Sequence, residues 1–190
     1  MKRKVALMPA LALGLAFAAF AQAPDGYLEV YIAKVKPEKR AEFDSVVKRM
    51  VDANRRHKGD HWVTSETIYG EGNTVYFTSF RNNYADMEQS FEAFDAALKK
   101  AYGPAGTAKI FQDFNNCLVS SRSEARQRRL DLSFNAPTDT AAFLKLVGQS
   151  RWVRTVLYRV RPGRTSGYVA QLRAVKEGAE KAGSRSPWLV

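Results

Sequence analysis

From Tyr27 to Lys36 the chain alternates, with Leu28, Val30 and Ile32 on one face and Tyr27, Glu29, Tyr31 and Ala33 on the other. Period-two alternation predicts a half-buried strand. Pro37 follows where a helix start tolerates a missing N–H, and Glu38 lies beside it in the first turn. Phe43, Val46, Val47, Met50, Val51 and Asn54 then recur at helical spacing and predict an amphipathic helix. Arg55, Arg56, His57 and Lys58 suit its negative end, and Gly59 is the expected C′ residue. His61–Tyr69 and Thr74–Phe80 are β-branched and aromatic runs joined by Gly70-Glu71-Gly72-Asn73, which predicts a hairpin. Asn82 or Asn83 caps a second helix whose stripe runs through Tyr84, Met87, Phe91, Phe94, Leu98 and Tyr102, stopped by Gly103-Pro104. A further helical face carries Ile110, Phe111, Phe114, Cys117, Leu118 and Ser121, and Leu130–Phe134 alternates as a short strand.

Asn135-Ala136-Pro137-Thr138-Asp139 reads as a boundary before a short helix that ends near Val147. Beyond it the opening pattern returns. Pro37 and Pro162 lie 125 positions apart, and that offset pairs Ile32 with Leu157, Val35 with Val160, Phe43 with Tyr168 and Val47 with Leu172. Lys34 and Lys36 match Arg159 and Arg161, and Trp62-Val63 is echoed by Trp188-Leu189 after a small insertion. Strand, proline, helix, glycine, tryptophan: an ordered set of this kind indicates duplication. The echo reaches Val190 only two residues into its second strand, so the chain is expected either to run on as a tandem whose second copy is incomplete here, or to pair an orphan β-α-β piece with the first unit or a second chain. Trp152–Arg161 is predicted to be a strand and Tyr168, Leu172 and Val175 to mark a helix.

The order β-α-β-β-α, then β, is that of the split βαβ, ferredoxin-like unit, an α+β fold with an antiparallel sheet and two helices on one face. It resembles the dimeric α/β-barrel superfamily, whose members include antibiotic-biosynthesis-type monooxygenases and related small-molecule-binding proteins. The resemblance covers residues 27 to 134, with a half-copy after residue 150. It implies that the open sheet face is covered by another sheet, from a homodimer or a second intact unit. It also implies a cofactor-independent monooxygenase or isomerase as an alternative to simple binding. Haem-degrading relatives use an Asn, Trp and His constellation. Here the first strand has no Asn, the tryptophan is on the second strand and the second helix has no His.

The N-terminus adds a compartment. Met1-Lys2-Arg3-Lys4 is a basic start, Val5–Phe20 is apolar apart from Pro9 and Gly14, and Ala19-Phe20-Ala21 places small residues where signal peptidase needs them. Residues 1–21 are therefore expected to be a Sec-type signal peptide cleaved after Ala21, giving a periplasmic or secreted protein. The expected organisation is then 22–134 as the first ferredoxin-like unit, 135–150 as a linker with a short helix, and 151–190 as an incomplete second unit. Cys117 is the only cysteine, so no intrachain disulfide is available and stability must come from a core. Loss of Lys2, Arg3 and Lys4 takes the net charge from +11 to +8. Outside the cytosol such a charge suits an anionic envelope surface rather than nucleic acid.

Candidate chemistry is sparse. His57 and His61 are the only histidines, with Gly59 between them and no acid or cysteine cluster to complete a metal site. Cys117, on an apolar stripe, reads as a buried thiol. No phosphate loop or nucleophile elbow is present, and neither a cofactor nor a metal is expected. Six residues on the predicted sheet form the candidate ligand-binding set: Tyr31, Trp62, Thr64, Tyr76, Thr78 and Arg81. Aromatic rings would give an apolar pocket with a few hydrogen-bonding groups, and Arg81 at a strand end would meet an anion. The expected function is binding of a small apolar or aromatic ligand between ferredoxin-like sheets. The basic run Ser121–Leu130, with Arg151, Arg154, Arg159, Arg161 and Arg164, supports a further alternative, an envelope interaction protein with a basic surface.

Overall fold

The computed structural model describes residues 26–190; the expected signal peptide lies outside them. Strand β1 (Tyr27–Val35) leads through a 3-10 turn at Pro37–Lys39 into helix α1 (Arg40–Arg56). Strands β2 (Val63–Glu66) and β3 (Thr74–Arg81) form the hairpin, α2 (Tyr84–Asn116) follows, and β4 (Leu118–Gln127) closes the unit. The sheet order is β2-β3-β1-β4 and every pairing is antiparallel. With β1-α1-β2-β3-α2-β4 connectivity this is the ferredoxin-like fold. The core between sheet and helices is built from Ala33, Val35 and Val75 on the strands, Phe43, Val46 and Met50 on α1, and Leu98, Ile110 and Phe114 on α2.

Two details of the helices depart from the sequence expectation, each for a local reason. Gly59 is not the C′ residue of α1. Lys58 takes the left-handed conformation (φ 53°), and the Gly59 N–H donates to Asn54 O at 2.9 Å, the six-to-one bond of a Schellman end. Gly59 is required for space instead, because a Cβ there would fall 2.1 Å from Asn54 Oδ1. The expected stop at Gly103-Pro104 is present within α2: Gly103 leaves the helix at φ 69°, ψ 170°, and Pro104 starts the following helical stretch as an N-terminal proline. The helical face expected to reach Ser121 ends at Asn116, since Cys117 caps the helix and Leu118 already pairs with Val35.

The basic run Ser121–Leu130 is mostly strand β4, with side chains that are largely exposed. Its alternation of Arg122, Glu124 and Arg126 with Ser121, Ser123 and Ala125 is the period-two signal, and pairing along the whole of β1 outweighs the helix propensity of Glu, Ala, Arg and Gln. Leu130–Phe134 makes turns and a single bridge, Phe134 to Trp188, instead of a strand. Cys117 is a buried thiol, as its position on the stripe implied.

After the sheet, α3 (Thr140–Gln149) and α4 (Thr165–Lys181) complete the described elements. Asp139 caps α3 by accepting from Ala142 N–H at 2.8 Å. Helix α3 touches β2 and β3 on the sheet face that α1 and α2 leave open, where Phe143 meets the Phe80 ring at 6.0 Å. Helix α4 docks on the turn after β4, where Arg173 Nη2 reaches Asp131 Oδ2 at 3.4 Å and Lys176 Nζ donates to Asp131 O at 3.1 Å. The predicted strand Trp152–Arg161 pairs with no strand among the described residues, and residues 148–167 are all exposed.

Candidate functional site

In an antiparallel pair, directly opposed residues point to the same side of the sheet. The register opposes Tyr31 to Phe77, Thr64 to Phe77 and Tyr27 to Arg81, so Tyr31, Thr64 and Arg81 share the helix-covered side. Trp62, two residues before Thr64, packs edge-on against Phe94 of α2 at 5.4 Å and belongs to that side too. Tyr76 opposes Ile32 and Thr78 opposes Val30 and Val63, which places both on the other side. The six candidate residues are therefore split four and two by the sheet and do not line one pocket.

On the helix side the aromatic rings pack against one another. Tyr31 lies 6.2 Å from Phe77 and 6.0 Å from Phe114, and Phe94 lies 6.1 Å from Phe111. Thr64 is exposed on the edge strand. Arg81 was expected to meet an external anion, but its guanidinium is taken up by the chain's own carboxylates. Nη1 and Nη2 donate to the two oxygens of Asp60 at 2.8 and 2.6 Å, and Nε donates to Glu29 Oε2 at 2.8 Å. Burial alone would lower the Arg81 pKa, yet the bonds to Asp60 and Glu29 more than offset it and hold the charge firmly. Asp60 is itself fixed by Asn54, whose Nδ2 donates to Asp60 O at 2.6 Å and whose Oδ1 accepts from Asp60 N–H at 2.9 Å.

This network ties the end of α1, the loop before β2, β3 and β1 into one rigid corner. A cleft of about 260 Å³ opens beside it, between Gly59–His61, the end of β3, and Asp86, Gln89 and Ser90 at the start of α2. Sequence reasoning missed Asn54 and Asp60. The available signal was Asn54 itself, a polar residue at a core position of the α1 stripe.

The opposite face of the sheet has a different chemistry. Leu28, Val30 and Ile32 of β1 form a central apolar row, with Val63 beyond them on β2. Tyr76 and Thr78 stand half-buried beside that row and bring two hydroxyls to it. On the other flank β4 places Arg126 opposite Leu28, Glu124 opposite Val30 and Arg122 opposite Ile32. Glu124 accepts from Arg122 Nε at 2.9 Å and from Arg126 Nη2 at 2.6 Å. The Arg122 and Arg126 bonds hold the Glu124 carboxyl below its usual pKa, so the ladder stays charged. At one end Phe80 is capped by Phe143 and by the Arg128 guanidinium, 4.7 Å above its ring. The row is apolar but covered, Val30 and Ile32 being buried beneath these flanking side chains, with two half-buried hydroxyls and a charged rim beside it.

Among the described residues, no group of three or more His, Cys, Asp or Glu side chains could hold a metal ion. No helix among them is long and apolar enough to cross a membrane.

No family model and no curated protein matches the chain. Solved structures do resemble it. A NIPSNAP-like domain protein from Burkholderia xenovorans is 15% identical, with a TM-score of 0.46, over 61% of this chain and 93% of that one. A NIPSNAP family protein from Agrobacterium tumefaciens is 14% identical, with a TM-score of 0.43, over 56% of this chain and 89% of that one. A candidate antibiotic biosynthesis monooxygenase from Caulobacter crescentus is 16% identical, with a TM-score of 0.38, over 55% of this chain and 91% of that one. The ferredoxin-like assignment rests on the strand order and connectivity given above.

Proposed function

We propose that the chain binds a small apolar or aromatic molecule on the open face of its sheet, between that sheet and the sheet of a second ferredoxin-like unit, and that it does so outside the cytoplasm. The observation that carries this reading is the composition of the face. Leu28, Val30, Ile32 and Val63 form a contiguous apolar row, Val30 and Ile32 being buried beneath the flanking side chains that a ligand would displace, and the half-buried Tyr76 and Thr78 are the hydrogen-bonding groups beside it. A few fixed polar groups in an apolar setting are what orient a small ligand. The Tyr76 ring supplies stacking area while its hydroxyl donates to a ligand acceptor, and the Thr78 hydroxyl can donate or accept. The Arg122–Glu124–Arg126 ladder would bound the ligand on the β4 side. Tyr31, Trp62, Thr64 and Arg81 act in this reading as the packed support behind the floor.

The test is a thermal-shift and fluorescence titration of the protein with anilinonaphthalene sulfonate and a panel of neutral aromatic compounds. Thr78→Trp fills the space over the floor and is expected to weaken binding at least about tenfold, a loss of one aromatic contact area. Gln89→Ala, in the Arg81 cleft, is expected to leave binding unchanged. Ligand binding that responds to Gln89→Ala and ignores Thr78→Trp would overturn the assignment of the site.

A further inference from the structure

Between Ala141 and Lys176 the chain contains no acidic residue, and Arg151, Arg154, Arg159, Arg161 and Arg164 all fall in this stretch. In the structure the same stretch is the least covered part of the molecule. Trp152 is 70% exposed, Leu157 80% and Tyr158 68%, and Val153 and Val156 are exposed with them. A solvated linker has no use for so many large apolar side chains, and a merely soluble basic surface would not interleave them with arginines. The segment is not adrift: the Tyr158 ring lies 5.9 Å from that of Tyr168 in the first turn of α4, which holds the segment beside that helix.

Besides the remaining strands of the second unit that the repeat implies, two occupants suit an exposed, strand-like, apolar-basic segment: a second copy of this chain, or a surface of anionic lipid. The charges disfavour the first. Antiparallel self-pairing about the middle of the segment sets Arg154 opposite Arg159, and like charges directly opposed destabilise a pair. The outer edge of β4 matches the segment in length but carries Arg122 and Arg126, while β2 offers only Val63–Glu66. We propose that Arg151–Arg164 is a docking surface for anionic lipid head groups. The arginines pair with lipid phosphates through their planar forks, and Trp152, Leu157 and Tyr158 sit at head-group level, where aromatic side chains are favoured. The segment's backbone pairs with no strand, so it lies in the interface and does not enter the hydrocarbon.

The experiment is co-sedimentation of the full chain with vesicles of phosphatidylglycerol and, separately, of phosphatidylcholine. Salt is varied, and the parent is compared with Arg154→Ser/Arg159→Ser/Arg161→Ser. These arginines are exposed, so circular dichroism is expected to show an unchanged fold. The parent is expected to bind phosphatidylglycerol and to be released at about 0.5 M salt, where charges are screened beyond a few ångströms. The triple variant is expected to bind roughly a hundredfold more weakly, about fivefold per arginine. The blue shift of tryptophan fluorescence on binding is expected to disappear in Trp152→Phe. Unchanged binding of the triple variant would overturn the proposal by placing the attraction elsewhere, for example at Lys2, Arg3 and Lys4. Equal capture by soluble dextran sulfate would overturn it in favour of polyanion binding. A dimer of the parent that the triple variant abolishes would overturn it in favour of a second copy.

Discussion

Removing the guanidinium of Arg81 would leave Asp60 and Glu29 facing one another without the cation that separates them. Arg81 is buried and Asp60 nearly so, and the loss of one partner from such a group is costly because the other charges stay behind. Arg81→Leu is therefore expected to destabilise the fold by about 3 kcal/mol, read as a fall in the urea midpoint at an unchanged slope. A neighbouring residue should move the other way. Lys58 occupies a left-handed conformation that suits glycine, and Lys58→Gly is expected to raise stability by roughly 0.5–1 kcal/mol, the left-handed penalty less glycine's greater unfolded entropy. The end of α1 was legible in the sequence to within a residue, but which residue took the positive φ was not. Gly59 looked like the natural candidate, and only the close approach of Asn54 explains why the glycine is needed one place later. Arg81 was likewise legible as a charged group at a strand end. Its partners were not, because Asp60 and Glu29 lie 21 and 52 residues away along the chain and meet it only through the fold.

At the scale of elements, the segments that were legible are those whose pattern and packing agree. Strand β1 and helix α1 bury the stripe that the sequence displays, whereas the first arm of α2 buries only Leu98 of its stripe and leaves Tyr84 and Phe91 exposed. Strand β4 is not legible in the sequence because Ser, Glu, Ala, Arg and Gln carry no β-propensity, and its identity comes from pairing with β1. The Leu130–Phe134 alternation was read as a strand although its ladder partner reduces to a single bridge from Trp188. That region instead depends on Asp131. Hydrogen bonds from Arg129, and more weakly from Arg173, hold the Asp131 carboxyl down from 3.8 to about 2. A depressed carboxylate contributes stability that is fully present above its unfolded pKa and is lost as pH falls through the folded one. The Leu130–Phe134 turn that Asp131 and Arg129 brace is therefore expected to loosen between pH 3.8 and about 2, and with it the lesser contact from Arg173 of α4. Near-ultraviolet dichroism of Trp188, stacked on Phe134 at 4.8 Å, should report the change, and Asp131→Asn should abolish this step.

Over the whole molecule, two asymmetries organise the account. Helices α1 and α2 cover one side of the sheet, whereas on the other α3 packs at Phe80 and the apolar row of β1 is buried by side chains of the neighbouring strands rather than by a helix layer. Charge is just as uneven: residues 151–190 hold nine basic residues against two acidic ones, whereas the sheet's own charges are largely paired. The ferredoxin-like architecture was legible because its element order is itself a sequence pattern. The division of the candidate residues between two faces was not, because it depends on strand register, and a one-residue difference in counting exchanges the faces. Tyr76 and Thr78 remain with the floor, and Tyr31, Trp62, Thr64 and Arg81 stand behind it. The most direct measurement of the central claim is a methyl-resolved NMR titration of the protein with an aromatic ligand from the binding panel. The methyl signals of Leu28, Val30, Ile32, Val63 and Thr78 are expected to shift together and saturate with one affinity. Shifts confined to Ala93 and its neighbours at the Arg81 cleft, with those five signals unmoved, would contradict it.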